Sequence, residues 1–144
     1  MFLGPLELLV LSFPAARLNE GVSATLDRLE SLVYMRVVDI LVVRTDTAGG
    51  GCAVELNELP GLRVDPVVMA RLATGLITET DVDEIAALVD QSTDAVAVLV
   101  EHVWVNDLAD QMAVADGTVL ALLHIPAVLA ARALPVASGE PVLP

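Results

Sequence analysis

Ala95–Val105 reads AVAVLVEHVWV. Both alternating faces of this run are apolar, which is the pattern of a strand covered on two sides. It holds the only tryptophan, Trp104, and one of the two histidines, His102. The remainder of the chain is read outward from it.

Upstream, Leu6–Phe13 (LELLVLSF) reads as a buried strand stopped by Pro14. Asn19 is placed to cap a helix over Glu20–Val33, with Val22, Leu26, Leu29 and Val33 on one apolar face. Met35–Arg44 is a second strand, Thr45–Gly51 a turn and Cys52–Leu56 a third strand, together a hairpin. Asp65-Pro66 opens a short helix, with Gly75 as its stop. Thr78–Asp90 starts with Glu79, Asp81, Asp83 and Glu84, acids suited to a helix N-terminus, and Val82, Ile85, Ala86 and Val89 form its apolar side. Downstream of the central strand, Asn106 is expected to cap a helix through Ala115. Thr118–Ile125 reads as a last strand, and Pro126–Pro135 as a helix.

Leu8–Asn19 and Val98–Asn106 echo one another, with Trp104 where Phe13 stands. Two strand–helix–strand units around a hairpin predict an α+β fold with a ferredoxin-like sheet and added helices. A small doubly wound α/β fold fits the same alternation. One domain is expected over residues 1–134, followed by an apolar tail over 135–144. A chain of 144 residues buries roughly 68–70% of its unfolded surface and needs no metal or disulfide to fold.

Composition narrows the function. The net charge is −13, and all seven basic residues are arginines. Binding to nucleic acid or to anionic lipid rests on clustered cations, so neither is expected. Hydrophobic residues make up 56% of the chain and aromatics 3%. The core is therefore aliphatic, with apolar surface to spare for self-association. Cys52 is the single cysteine, which rules out an intrachain disulfide. Met1–Leu11 lacks the basic start of a signal peptide, and no run of about 18 apolar residues marks a membrane span. The expected location is the cytoplasm.

Four groups of residues resemble a known family in their order along the chain. They are Gly4-Pro5-Leu6-Glu7 leading to Phe13-Pro14, Val38–Arg44, Gly75–Asp81, and Glu101 through Trp104. Over residues 4–134 the chain resembles an uncharacterised family of small acidic proteins of GC-rich Gram-positive bacteria, a domain of unknown function. The resemblance implies no activity, so it assigns no catalytic residue. Some relatives are described as membrane-associated because of a glycine-rich apolar middle; here that middle, Leu62–Ile77, holds Arg63, Asp65 and Arg71.

The candidate polar site is Asp39, Glu101, His102 and His124. Asp39 lies mid-strand among apolar residues, where a carboxylate must be paired or protonated. Two uses are open to it: general base, or structural acceptor. Glu101 and His102 point to opposite faces of one strand and form no dyad with each other. Glu101 meets Asp39 or Glu7 only if their strands are neighbours, and His102 meets His124 only if theirs share a face; a metal would need such a cluster. Gly49-Gly50-Gly51 lacks the Lys-Ser/Thr of a phosphate loop and reads as the hairpin turn. No serine sits in a nucleophile elbow, and Cys52 has no basic neighbour in sequence.

No catalytic residue, cofactor or metal is therefore expected. The expectation is a non-enzymatic, self-associating structural or assembly domain, a homo-oligomer, with Leu134, Val136, Val142 and Leu143 of the tail as an intersubunit arm. A small-ligand or metal-binding regulatory domain is the alternative.

Overall fold

The computed structural model describes residues 4–46, 49–90 and 92–120. Among these, β1 (Leu6–Pro14) leads through a 3-10 turn (Ala15–Arg17) to α1 (Leu18–Glu30) and β2 (Met35–Thr45). β3 (Gly51–Val54), a 3-10 turn (Leu56–Glu58), α2 (Pro66–Arg71), α3 (Glu79–Ala86), β4 (Thr93–His102) and α4 (Val103–Ala113) follow. The strands form one open sheet in the order β1-β4-β2-β3, and each neighbouring pair is antiparallel.

An antiparallel sheet excludes the doubly wound alternative, whose strands run parallel. The α+β class and the β2–β3 hairpin stand as expected. The arrangement differs from a ferredoxin-like sheet, which centres its first and third strands, because β4 and β2 are central here. The helices also divide between the faces. On one face, Leu18, Val22 and Leu26 of α1 pack with Ile40, Val42, Val96 and Val98. On the other, Val82, Ile85 and Ala86 of α3 pack with Leu41, Val43, Ala95 and Ala97. The connection from β1 to β2 steps over β4, and that from β3 to β4 steps over β2. Two steps of one hand would place both helices on one face, so these two have opposite hands.

The change of face occurs at β2. Leu56 and Leu59, with Val68, Met69 and Leu72, lie on the α1 side, whereas Ile77 lies on the α3 side. β3 pairs only with Val42–Thr45, which leaves the first half of β2 open on that edge. The chain crosses there. Val38 is an extra residue between the pairs Val37↔Val100 and Asp39↔Leu99, and its carbonyl accepts a 2.7 Å bond from the Ala73 N–H. A bulge of this kind re-aims backbone groups that a regular ladder would use.

Several local expectations are corrected. Leu6–Phe13 is a strand but not a buried one: β1 is at the sheet edge, with Leu6, Leu8 and Leu9 exposed. The helix expected through Val33 ends at Glu30, and Val33 is 92% exposed. Asn19 does not cap α1; its Nδ2 donates to the Pro60 carbonyl at 2.7 Å. The stretch Ala95–Val105 is not strand throughout, since β4 starts at Thr93 and gives way to α4 at Val103. Trp104 is therefore helical and Asn106 lies inside α4, so the echo with Phe13, a strand residue, has no structural counterpart. α2 starts as expected, with Asp65 Oδ1 accepting from the Val67 N–H at 2.9 Å, but it ends at Arg71 because Leu72 turns extended toward the crossing. α3 begins at a Thr78–Asp81 capping box and ends at Ala86, short of Asp90. Residues 121–144 lie outside the described residues. They include most of the expected last strand and the Pro126–Pro135 helix.

Gly21 fits α1 against β1. A Cβ there would stand 2.5 Å from Cδ1 of Phe13. Gly21→Ala gains about 1 kcal/mol of helix propensity, but overpacking costs typically ~1–3 kcal/mol. The expected net result is a loss of about 1 kcal/mol in a denaturant titration, together with a changed near-ultraviolet signal from the displaced ring.

Candidate functional site

The candidate polar residues fall into separate places. Asp39 is 2% exposed and sits at the bulge of β2. Its Oδ1 accepts from the Ile40 N–H at 2.8 Å, and its Oδ2 from the N–H groups of Leu76 and Ile77 at 3.2 and 3.3 Å. Gly75, at φ +80°, supplies the left-handed turn that precedes these two donors. The carboxylate thus fastens the crossing chain to the sheet. Three N–H donors leave it poorly placed to take a proton from a substrate.

Glu101 is buried in β4, opposite Arg36 on β2 and Leu6 on β1. The Arg36 guanidinium donates to its Oε1 through Nε at 2.9 Å and stands 2.7 Å away through Nη2. The Gly4 N–H donates to Oε2 at 2.6 Å. Glu101 therefore joins three strands at one end of the sheet. It meets neither Asp39, whose cross-strand partner is Leu99, nor Glu7, which engages His102 on the other face.

His102 ends β4. Its Nε2 is hydrogen-bonded to Glu7 Oε1, and its Nδ1 accepts from Trp104 Nε1 at 3.2 Å. An indole N–H can only donate, so Nδ1 must be the bare nitrogen and Nε2 carries the proton that Glu7 accepts. Both ring nitrogens are committed, which leaves neither for a metal or a substrate in this arrangement. His124 lies outside the described residues, as do Leu134, Val136, Val142 and Leu143.

Two arrangements were not anticipated from sequence. Asp94, buried at the start of β4, stands 3.4 Å from Arg44 Nε. Glu55 lies with Asp39, Leu56, Met69 and Leu72 around a cavity of about 210 Å³. Burial pushes the Glu55 carboxyl up from its ordinary value, with smaller contributions from the charges of Asp39 and Glu58. A raised folded-state value means that the folded chain binds the proton more tightly than the unfolded chain does. Its contribution to stability is then largest at low pH and is lost as pH rises through the raised value. Glu55→Gln is expected to raise stability near neutral pH by up to about 0.5 kcal/mol and to flatten that acid-side slope in melts taken across pH 4 to 7.

Every buried side-chain nitrogen and oxygen among the described residues has a partner. Among those residues no group of three or more His, Cys, Asp or Glu is arranged to hold a metal, and no helix is long and apolar enough to cross a membrane. Cys52 is exposed, with a free thiol. Asp46 closes the glycine turn by accepting from the Gly50 N–H at 2.8 Å.

The least satisfied surface is apolar. Leu9, Leu11 and Phe13 of β1 and Ala24 and Leu29 of α1 line an open groove of about 320 Å³, whose one charged lining residue is Arg28. The groove runs beside the edge of β1 that no other strand of the described residues pairs with.

These features define an α+β domain built on an open antiparallel sheet, with its buried charges spent on holding strands together. The chain belongs to a family of unknown function (DUF6325), whose model matches residues 2–138. No curated protein and no solved structure matches it.

Proposed function

We propose that this is a non-enzymatic, cytoplasmic domain that self-associates as a structural or assembly element. The observation that carries this reading is the edge strand β1. It is nine residues long, with Leu6, Leu8 and Leu9 exposed, and among the described residues its outer edge has no strand partner, beside an apolar groove. Soluble proteins blunt such edges with lysines, inward charges or coverings. β1 carries a single charged residue, Glu7, already engaged by His102. The structural bonds of Asp39, Glu101 and His102 support the non-enzymatic part of the reading.

Light-scattering mass after size exclusion at micromolar concentration tests it. The expected mass is at least twice the 15.1 kDa of the chain, and a 15.1 kDa species would overturn the proposal. Leu143→Asp in the full chain reads the contribution of the tail. A fall in assembly size makes the tail a connector, and an unchanged size assigns the contact to the described surface alone.

A further inference from the structure

Deepening the self-association reading, on which it rests, the geometry points to a twofold pairing of β1 with β1 of a second copy, centred on Leu9. The backbone sets the register. Pro5 accepts from the His102 N–H and Ala15 donates to the Ser92 carbonyl, so the odd-numbered residues of β1 turn their N–H and C=O groups toward β4. The even ones, Leu6, Leu8, Val10 and Ser12, turn theirs outward to the open edge. An antiparallel partner that places Leu6 opposite Ser12 and Leu8 opposite Val10 uses all of these groups. Sliding by one pair in either direction leaves one outward-facing carbonyl of each strand without a donor. In one direction Leu6 meets Pro14, which has no N–H; in the other Ser12 meets Gly4, whose N–H is held by Glu101.

In this register Leu9 faces Leu9 of the second copy, on the α1 side and at the mouth of the groove. Glu7 faces Leu11 of the second copy. The two Glu7 carboxylates are thereby kept apart, and each approaches the helix face where the other copy's Arg28 lines the groove. Arg28 holds no carboxylate among the described residues. The one acid of the strand thus meets the one cation of the groove, a charge complementarity that matters between two chains of net charge −13. The two four-stranded sheets become one continuous sheet through this contact.

Disulfide trapping tests the register in the full chain with Cys52→Ala. A non-hydrogen-bonded antiparallel pair brings Cα atoms to about 4.5 Å, within the range a disulfide spans. Leu9→Cys is expected to yield a covalent dimer under mild oxidation, and Leu6→Cys, far from the axis, is not. Arg28→Glu is expected to weaken the dimer about tenfold, roughly the effect of losing one exposed to half-buried charge pair. Circular dichroism melts confirm that each variant is folded. A dimer by light scattering that Leu9→Cys does not trap overturns this interface and leaves self-association standing. A monomeric parent chain, including one whose own residues 118–144 cover β1, overturns both.

Discussion

Asp39→Ala is expected to be the most destabilising single substitution among the polar residues, with a loss of about 3 kcal/mol or more. It removes the acceptor of three backbone N–H groups. Of the three donors, those of Ile40 and Ile77 belong to buried residues. A donor left buried without a partner costs ~1–3 kcal/mol. The site has no easy relaxation, because Val38 and Ala73 are bonded to each other at the same crossing. Asp39→Asn keeps one acceptor oxygen and is expected to lose less, about half as much. Chemical denaturation of the three chains checks the order. Native-state hydrogen exchange then locates the damage: the amides of Leu76 and Ile77 should lose protection first, since Asp39 Oδ2 is the acceptor of both. If Asp39→Ala melts like the parent, the carboxylate is not the fastening of the crossing.

The second large effect is at Glu101. Glu101→Leu leaves the Gly4 N–H without its acceptor and Arg36 without its counter-charge. Hydrogen bonds to charged groups contribute ~1.5–3 kcal/mol, and the Arg36 side chain, 45% exposed, recovers part of its loss by turning to water. The expected cost is about 2 kcal/mol, smaller than at Asp39 because one of the stranded groups can be resolvated. The double variant Glu101→Leu with Arg36→Met should regain part of that cost, because replacing both members of a partly buried pair by apolar groups is often close to neutral. A double-mutant cycle in urea measures the coupling. A cycle that sums additively would mean that Arg36 and Glu101 do not act as a pair. Gly4 belongs to the same joint: a Cβ there would lie 2.5 Å from the His102 carbonyl oxygen, so only glycine lets the chain enter β1 this close to β4.

Much of the fold was legible in local patterns. The β2 run, the hairpin, the Asp65-Pro66 start and the acidic first turn of α3 all follow from nearest-neighbour chemistry, which sequence carries directly. The ends of elements were less legible. α1 stops at Glu30 although Val33 continues its apolar period, and β4 becomes helix at Val103 although Val103–Val105 are apolar and strand-like. Which conformation those residues take depends on what they pack against, and in isolation an apolar run fits either.

The candidate site shows the same division. That Asp39 and Glu101 need partners could be reasoned from the cost of burying a carboxylate. Which partners they have could not, because Arg36 is 65 residues from Glu101 and Ile77 is 38 from Asp39. The sequence by itself determined an acidic, aliphatic α+β domain with a hairpin and without clustered cations. The central place of β4 was also legible, from its two apolar faces. Only the tertiary structure decided that β1 is the edge, that the helices take opposite faces, and that the chain crosses β2 at a bulge. The physical reason is that strand order and side-chain partnership are long-range properties. They are set by which faces are buried together, and the local period of a segment is the same whichever neighbour it finds.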